Sequence, residues 1–240
     1  MLRTIAWYTH FAASLLGKTP QMYKVKSLEK QGKIDDKIDY VHKVTSKWAM
    51  SHVKISGAKV TVIGQENIPK HIPVVFMSNH QSNFDIALFM SYIDKPKGYI
   101  AKAEMEKVPL IRTWMKYMNC VFMDRNNLRK SAQAIIEGVQ ILKEGYSLVI
   151  FPEGTRSKSD IMGEFKAGSF KLATKAKVPI VPVTIQGSYK LMEQNGNRIK
   201  PADVKIIIHP IIETAELTKE ELDNLPAQVK QIIGSQLPKV

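Results

Sequence analysis

The sequence predicts an α/β fold with a mainly parallel sheet covered by helices, preceded by an N-terminal two-helix motif. Three observations support this class. Seven short apolar runs have the length of buried strands, stretches with a helical apolar period separate them, and the first fifty residues differ in spacing and composition. A hydrophobic fraction of 44% over 240 residues is enough for one large core.

The N-terminus begins with an apolar and aromatic run at residues 5–16. The run is too short to cross a bilayer, because a spanning helix needs about 20 apolar residues. It fits a short helix at a membrane interface, with Trp7, Tyr8 and Phe11 among the lipid headgroups. A helix packed on the main domain is the alternative, and the two interpretations are compatible.

Residues 18–33 are polar and basic and contain a proline and a glycine, so we interpret them as a connection. Residues 34–48 carry apolar side chains at spacings of three and four, which predicts a second, amphipathic helix. We therefore predict a helical membrane-docking motif in residues 1–54 and an α/β domain in residues 55–240.

The α/β domain is predicted to contain seven strands and four intervening helices. The predicted strands are residues 59–64, 73–78, 98–102, 120–123, 147–151, 180–185 and 204–208. The predicted helices are residues 84–93, 110–118, 131–143 and 169–177. This alternation favours a parallel sheet that is covered on both faces. Because Pro182 has no N–H for a ladder, its strand is expected at a sheet edge or a bulge.

Polar side chains follow four of these strands, at the point where each strand ends. His80 follows the second strand, Lys102 ends the third, Arg125 follows the fourth and Glu153 follows the fifth. Ligands of open α/β sheets bind outside the carboxyl ends of the strands. If the strands are parallel, these four groups converge on one crevice.

The loop after the second strand offers a base and a carboxylate to orient it. His80 precedes the helix predicted from Phe84, and Asp85 lies in its first turn. A loop histidine can fold back onto that carboxylate with one ring nitrogen and keep the other free as a proton acceptor. The sequence has no G-x-S-x-G motif, and Cys120 lies in a predicted strand, so no covalent enzyme intermediate is expected. A hydrogen bond with a purely capping role is the alternative.

The other strand ends offer groups for a phosphate. Arg125 and Arg156 present paired donors to oxyanions, and Lys102 is a weaker third candidate. Gly154 allows a tight turn whose backbone N–H groups face the crevice. Glu153 is expected to bind a glycerol hydroxyl or to hold Arg156, or to form a purely structural pair with it.

The net charge limits the classes of possible partner, and the cysteine content indicates the redox compartment. A net charge of +13 and a pI near 9.6 imply an anionic partner, and nucleic acid, anionic lipid and an acidic carrier protein all qualify. The single cysteine excludes an internal disulfide framework and fits a reducing compartment. The histidines show no ligand-like spacing, so no metal is expected.

Four motifs in order resemble the glycerolipid acyltransferases of the 1-acyl-glycerol-3-phosphate acyltransferase type. The N-H-x-x-x-x-D motif stands at residues 79–85, F-x-x-R at 122–125, F-P-E-G-T-R at 151–156 and a Pro-bearing apolar strand at 178–183. Asn119 departs from the family, where a glycine often precedes the second motif. The resemblance covers roughly residues 55–210.

The resemblance implies transfer of a fatty acyl group from a thioester, on acyl carrier protein or coenzyme A, to the free 2-hydroxyl of lysophosphatidate. His80 is expected to take the hydroxyl proton and Asp85 to orient it. The residues expected to hold the glycerol phosphate are Arg125, Glu153, Gly154, Thr155, Arg156 and Lys102. No metal or prosthetic group is required.

The same resemblance implies a peripheral or monotopic protein at the cytoplasmic face of a membrane, with anionic lipids and no nucleic acid as partners. Glycerol 3-phosphate or another lysolipid is the alternative acceptor. A non-catalytic module that binds anionic lipid or nucleic acid is the alternative of another class, and it would not need His80 and Asp85.

Overall fold

The computed structural model describes residues 1–238, and its centre is a seven-stranded sheet. Buried apolar runs form its inner strands, and the four residues of the second and of the fifth strand are all buried. The strands are β1 (Lys59–Ile63), β2 (Val75–Ser78), β3 (Lys97–Lys102), β4 (Val121–Met123), β5 (Ser147–Ile150), β6 (Ile180–Gln186) and β7 (Asp203–Ile208).

The strand order is β1-β7-β6-β2-β5-β3-β4. The five strands from β6 to β4 in this order are parallel. Strand β7 is antiparallel to β6, and β1 is parallel to β7. The mainly parallel sheet is thus confirmed, with its last two strands reversed. Strands β2 to β6 all end at one side of the sheet, called here the carboxyl edge.

Eight α-helices cover both faces of this sheet in the described residues. They are α1 (Leu2–Leu16), α2 (Thr19–Lys30), α3 (Ile34–Ser56), α4 (Phe84–Tyr92), α5 (Ile111–Tyr117), α6 (Leu128–Lys143), α7 (Lys171–Ala176) and α8 (Lys219–Gly234). Helices α1 to α5 share a core with Val74 and Phe76, while α6, α7 and α8 share a core with Val75 and Met77. Successive residues around β2 thus point to opposite faces, as the pleat requires.

The N-terminal region has three helices, so the prediction of two helices joined by a connection is wrong. Helix α2 begins next to Pro20, which fits the first turn of a helix because that turn needs no N–H donor there. Trp7 is buried, contacts the ring of Phe84 and donates its indole N–H to the carbonyl of His52. Helix α1 therefore packs on α3 and α4 through Trp7 and Phe11. Within residues 1–238, no helix is both long and apolar enough to cross a membrane.

Two further expectations change with the structure. Strand β6, which contains Pro182, lies inside the sheet between β7 and β2, so the edge prediction is wrong. Pro182 lies just beyond the last β6–β7 register pair, so the N–H that it lacks is not needed for that ladder. Its carbonyl accepts the N–H of His209. Asn119 adopts a left-handed φ of 54°, a conformation that asparagine tolerates, and it replaces the expected glycine without disturbing the turn before β4.

Candidate active site

His80 and Asp85 form the pair that the sequence predicts. The ring Nδ1 of His80 lies 2.7 Å from Oδ2 of Asp85, and the carboxylate can only accept, so Nδ1 donates. The same Oδ2 accepts the backbone N–H groups of Gln81 and Ser82 at 2.7 and 2.9 Å. Asp85 is fully buried, whereas the His80 side chain is 15% exposed. Its Nε2 has no partner among residues 1–238 and is free to accept a proton from a bound molecule.

The loop after β5 fixes the rest of His80. The backbone N–H of His80 donates to Oε1 of Glu153 at 2.7 Å, and its carbonyl accepts the N–H of Ser157 at 2.7 Å. The ring of Phe151 stacks on the imidazole with a centroid distance of 4.1 Å and an interplanar angle of 19°. Phe151 and Glu153 of the F-P-E-G-T-R segment, together with the next residue, Ser157, therefore hold His80 in place.

Glu153 has a different role from the one expected. Its Oε1 accepts from His80 and its Oε2 accepts the N–H of Gly163 at 2.7 Å, so both oxygens are committed to the backbone. Burial raises the pKa of this carboxyl group, and the two N–H donors oppose that rise. The expected pair of Glu153 with Arg156 is corrected, because both of its oxygens accept backbone N–H groups beside His80. Binding of a glycerol hydroxyl by Glu153 stays a prediction.

Arg156 pairs with Glu193 instead. Its Nη1 lies 2.9 Å from Oε1 of Glu193, which is almost completely buried. The same carboxylate accepts the backbone N–H of Asn83 at 2.9 Å and the hydroxyl of Ser82. Since Ser82 and Asn83 belong to the loop that follows His80, the guanidinium group lies in the same crevice as the base. About a third of the Arg156 side chain is exposed, so part of the fork remains open to an anion.

Gly154 and Thr155 form the turn between Glu153 and Arg156. Gly154 has a φ of 73°, and a Cβ at this position would lie 3.0 Å from Nζ of Lys166. Its N–H donates to the carbonyl of Phe151 at 3.0 Å, while Thr155 is exposed to solvent. A glycine is therefore favoured here by the left-handed backbone conformation, while the Lys166 side chain could move away from a Cβ.

Lys102 and Arg125 lie at the carboxyl ends of β3 and β4, further along the carboxyl edge from His80. Adjacent strands are about 4.8 Å apart, so the end of β4 is about 14 Å from the end of β2 along the carboxyl edge. Lys102 is 60% exposed and pairs with Glu104 at 3.0 Å. Arg125 is partly buried, which lowers the pKa of its guanidinium group, and the carboxylate of Glu104 opposes this effect. Asp124 bonds to its own loop and to Lys130, a structural role.

Cys120 is excluded as a nucleophile by its surroundings. The residue is buried just before β4, and burial raises the pKa of its thiol to about 12. A thiol with this pKa carries almost no thiolate at neutral pH, and the thiolate is the reactive form. The thiol of Cys120 is therefore not available as a nucleophile.

Sequence reasoning missed two residues of this site, Ser188 and Glu193. Both follow β6, which ends at the same edge as β2, and both contact the loop of His80 and Asp85. A usable signal was present. Polar residues follow the carboxyl ends of four predicted strands, and the residues that follow β6 in the same way are Gly187 and Ser188.

An imidazole oriented by a carboxylate at the carboxyl edge of a parallel sheet, beside a partly open guanidinium group, is an arrangement typical of enzymes that act on an anionic alcohol. Comparison with known proteins gives the family. The family model described as Acyltransferase matches residues 59–186, and the chain belongs to this family.

Relatives from several bacteria agree with this assignment. A probable 1-acyl-sn-glycerol-3-phosphate acyltransferase of Mycoplasma genitalium is 34% identical, with 81% of this chain and 75% of that protein aligned. The 1-acyl-sn-glycerol-3-phosphate acyltransferase of Borreliella burgdorferi is 31% identical, with 78% and 74% aligned. A probable enzyme of the same name in Mycoplasma pneumoniae is 41% identical, and the match spans 58% of its length.

A solved structure extends the similarity to nearly the whole chain. The crystal structure of the 1-acyl-sn-glycerophosphate (LPA) acyltransferase PlsC from Thermotoga maritima superposes with a TM-score of 0.84 at 27% identity. The superposition covers 98% of this chain and 94% of that chain. The N-terminal helices are thus included in the shared architecture.

Proposed function

We propose that this enzyme transfers a fatty acyl group from an acyl thioester to the free 2-hydroxyl of lysophosphatidate, forming phosphatidic acid. The observation that carries the proposal is the His80–Asp85 pair, whose outward ring nitrogen opens into a crevice that also holds Arg156. The names of the relatives support lysophosphatidate as the acceptor.

In the proposed reaction, Nε2 of His80 takes the proton of the 2-hydroxyl group while its oxygen attacks the thioester carbonyl carbon. The new C–O bond forms and the C–S bond breaks, so the acyl group passes directly to the acceptor. The imidazolium then returns the proton to the leaving thiolate. Asp85 orients the ring and stabilises its positive charge during the transfer.

The headgroup phosphate is assigned to the cationic side chains of the crevice. Arg156 is nearest to the base, since Glu193 connects it to the loop of Ser82. Arg125 and Lys102 lie further along the carboxyl edge, where they can follow a flexible phosphate. The acyl donor is a thioester of acyl carrier protein or coenzyme A, and no metal or prosthetic group takes part.

The proposed membrane-docking surface lies on α1. Leu2, Ile5 and Leu16 share one face of this helix and are 85%, 61% and 63% exposed. Helix α2 adds exposed lysines at positions 24, 26 and 30, which suit anionic lipid. Because Trp7 and Phe11 face the core, the outer stripe takes the role first expected of these aromatic residues.

The reaction is tested by incubating purified protein with labelled acyl-coenzyme A or acyl carrier protein and either lysophosphatidate or glycerol 3-phosphate. We expect labelled phosphatidic acid from lysophosphatidate. Labelled product formed with glycerol 3-phosphate but not with lysophosphatidate would make glycerol 3-phosphate the acceptor. No product from any donor–acceptor pair would reject it.

Docking is tested by sedimentation with vesicles that contain anionic phospholipid. The double variant Ile5→Ser and Leu16→Ser should lose most vesicle binding and keep its fold. Ile136→Ser is the matched control, because Ile136 is 57% exposed on α6, on the other face of the sheet. Equal binding by the double variant and the control would reject α1 as the docking surface.

A further inference from the structure

We propose that Ser188 is a positioning residue for the general base, holding the Asp85 carboxylate from the side opposite His80. This inference rests on the proposed function, since it assigns a partner to the same base. Residue 188 lies two positions beyond the stretch matched by the family model, which ends at residue 186. Three features support it. They are the turn at Gly187, the hydrogen bonds that hold this turn to Gln81, and the bond from the Ser188 hydroxyl group to the buried Oδ1 of Asp85.

The turn is made by Gly187, the first residue after β6. It has a φ of 84°, and a Cβ at this position would lie 2.7 Å from the backbone oxygen of Asp203. Both the left-handed conformation and the close approach require glycine. The chain is thereby turned at the carboxyl edge, and Ser188 follows at once, fully buried.

The anchor is Gln81, the residue after His80. Its Oε1 accepts the N–H of Gly187 at 2.9 Å, and its Nε2 donates to Oδ1 of Asp160 at 3.0 Å. The other oxygen of Asp160 accepts the hydroxyl of Tyr189 at 2.9 Å. The two residues that flank Ser188 are thus tied, directly or through Asp160, to the loop of the base.

The hydroxyl group of Ser188 donates to Oδ1 of Asp85. Oδ2 of Asp85 already accepts from His80 and from two backbone N–H groups. Among residues 1–238, Ser188 is the one donor to Oδ1, and both side chains have no exposed surface. A buried carboxylate oxygen without a donor costs free energy. The bond from Ser188 stabilises the negative charge of Asp85 and so changes how strongly that charge attracts the imidazole.

Removal of the hydroxyl has a predictable sign. Without the Ser188 hydroxyl group, Oδ1 of Asp85 has no donor and the negative charge of the carboxylate is less stabilised. That charge then favours the protonated form of His80 more strongly. The base works only when its outward nitrogen is unprotonated, so the acid limb of the pH profile moves to higher pH. The other charged groups around the pair are Glu153, Asp160, Glu193 and Arg156, and the substitution changes none of them.

The test compares Ser188→Ala, Ser188→Cys and the unchanged protein in pH profiles of kcat/KM, with lysophosphatidate and acyl-coenzyme A or acyl carrier protein. Ser188→Ala should move the acid limb up by about one pH unit, lower kcat about tenfold, and leave the acceptor KM within about twofold. Ser188→Cys should fall between the two, because a thiol is a weak donor. Ionisation of the substrate phosphate is common to all profiles and cancels in the comparison.

Ser147→Ala is the matched control. Ser147 is buried at the start of β5, and its hydroxyl accepts the N–H of Val74 at 3.1 Å, far from Asp85 along the strand direction. This variant should lower the thermal midpoint without moving the acid limb. An acid limb of Ser188→Ala that coincides with that of the unchanged protein overturns the inference, and if Ser188→Ala does not fold, the profile of Ser188→Cys decides it in the same way. An active His80→Ala variant would instead overturn the proposed function itself.

Discussion

His80 and Lys102 lie at two ends of one stretch of the carboxyl edge, two strands apart, and their surroundings differ in kind. His80 has its N–H, its carbonyl and its Nδ1 all bonded, and its ring stacks on Phe151. Lys102 has one surface ion pair with Glu104 and is mostly exposed. Proton transfer needs one fixed geometry, whereas a lipid headgroup is bound by long side chains that can adjust. The two ends are therefore expected to respond to substitution in different ways.

The largest effect is expected for His80→Ala. Removal of the general base should lower kcat by roughly 10³-fold, within the usual range for such groups, while vesicle binding and fold are retained. The control is His71→Ala, because His71 is an exposed histidine outside the crevice. Acyl transfer assays of both variants at saturating acceptor measure the difference. Near-normal turnover by His80→Ala would show that His80 is not the general base, and its fixed surroundings would then have no catalytic meaning.

The strands were predictable because buried strands are continuous apolar runs, and each predicted strand end lies within two residues of the observed one. Helix α2 was missed because Pro20 was interpreted as a break, although proline is common in a first helical turn. Helix α8 was missed although Thr218 and Glu221 form a capping box that the sequence displays. Pro226 inside that helix conceals its pattern.

The site was predictable where its contacts are local. His80 and Asp85 are five residues apart, so loop geometry alone brings them together. Glu153 reaches His80 across 73 residues, and Arg156 reaches Glu193 across 37. Partners at such separations are set by strand order, which a single sequence does not display. The sequence therefore predicted the His80–Asp85 contact correctly, but it assigned the wrong neighbour to Arg156 and missed the backbone partners of Glu153.

Glu153→Gln tests whether the base end depends on its fixed backbone. An amide has one acceptor oxygen, so one of the N–H groups of His80 and Gly163 would face an NH₂ group. We expect kcat to fall by about 10²-fold through displacement of the imidazole, with a smaller change in the acceptor KM. Glu137→Gln is the control, since Glu137 is an exposed carboxyl group on α6, away from the carboxyl edge. A rise in the acceptor KM with unchanged kcat would instead place Glu153 on the substrate.

Arg156→Lys tests the group that connects the two ends. The lysine keeps the positive charge but loses the fork, which contacts Glu193 and has a second nitrogen that we propose binds the phosphate. The acceptor KM should rise roughly tenfold, the value of one charge-assisted hydrogen bond, while kcat changes less. Steady-state kinetics with varied lysophosphatidate measure both constants. If kcat falls and KM stays constant, Arg156 belongs to the fixed base end.

The smallest effect is expected for Lys102→Ala. Its ion pair with Glu104 is exposed, and such pairs hold little energy because water and salt screen them. The acceptor KM should rise less than about fivefold at low ionic strength, and the difference from the unchanged protein should shrink as salt is added. Kinetics at two salt concentrations measure this, with Lys143→Ala, in the last turn of α6, as a control. A salt-independent loss of more than tenfold would show that Lys102 is held as firmly as the base, and the contrast between the two ends would no longer stand.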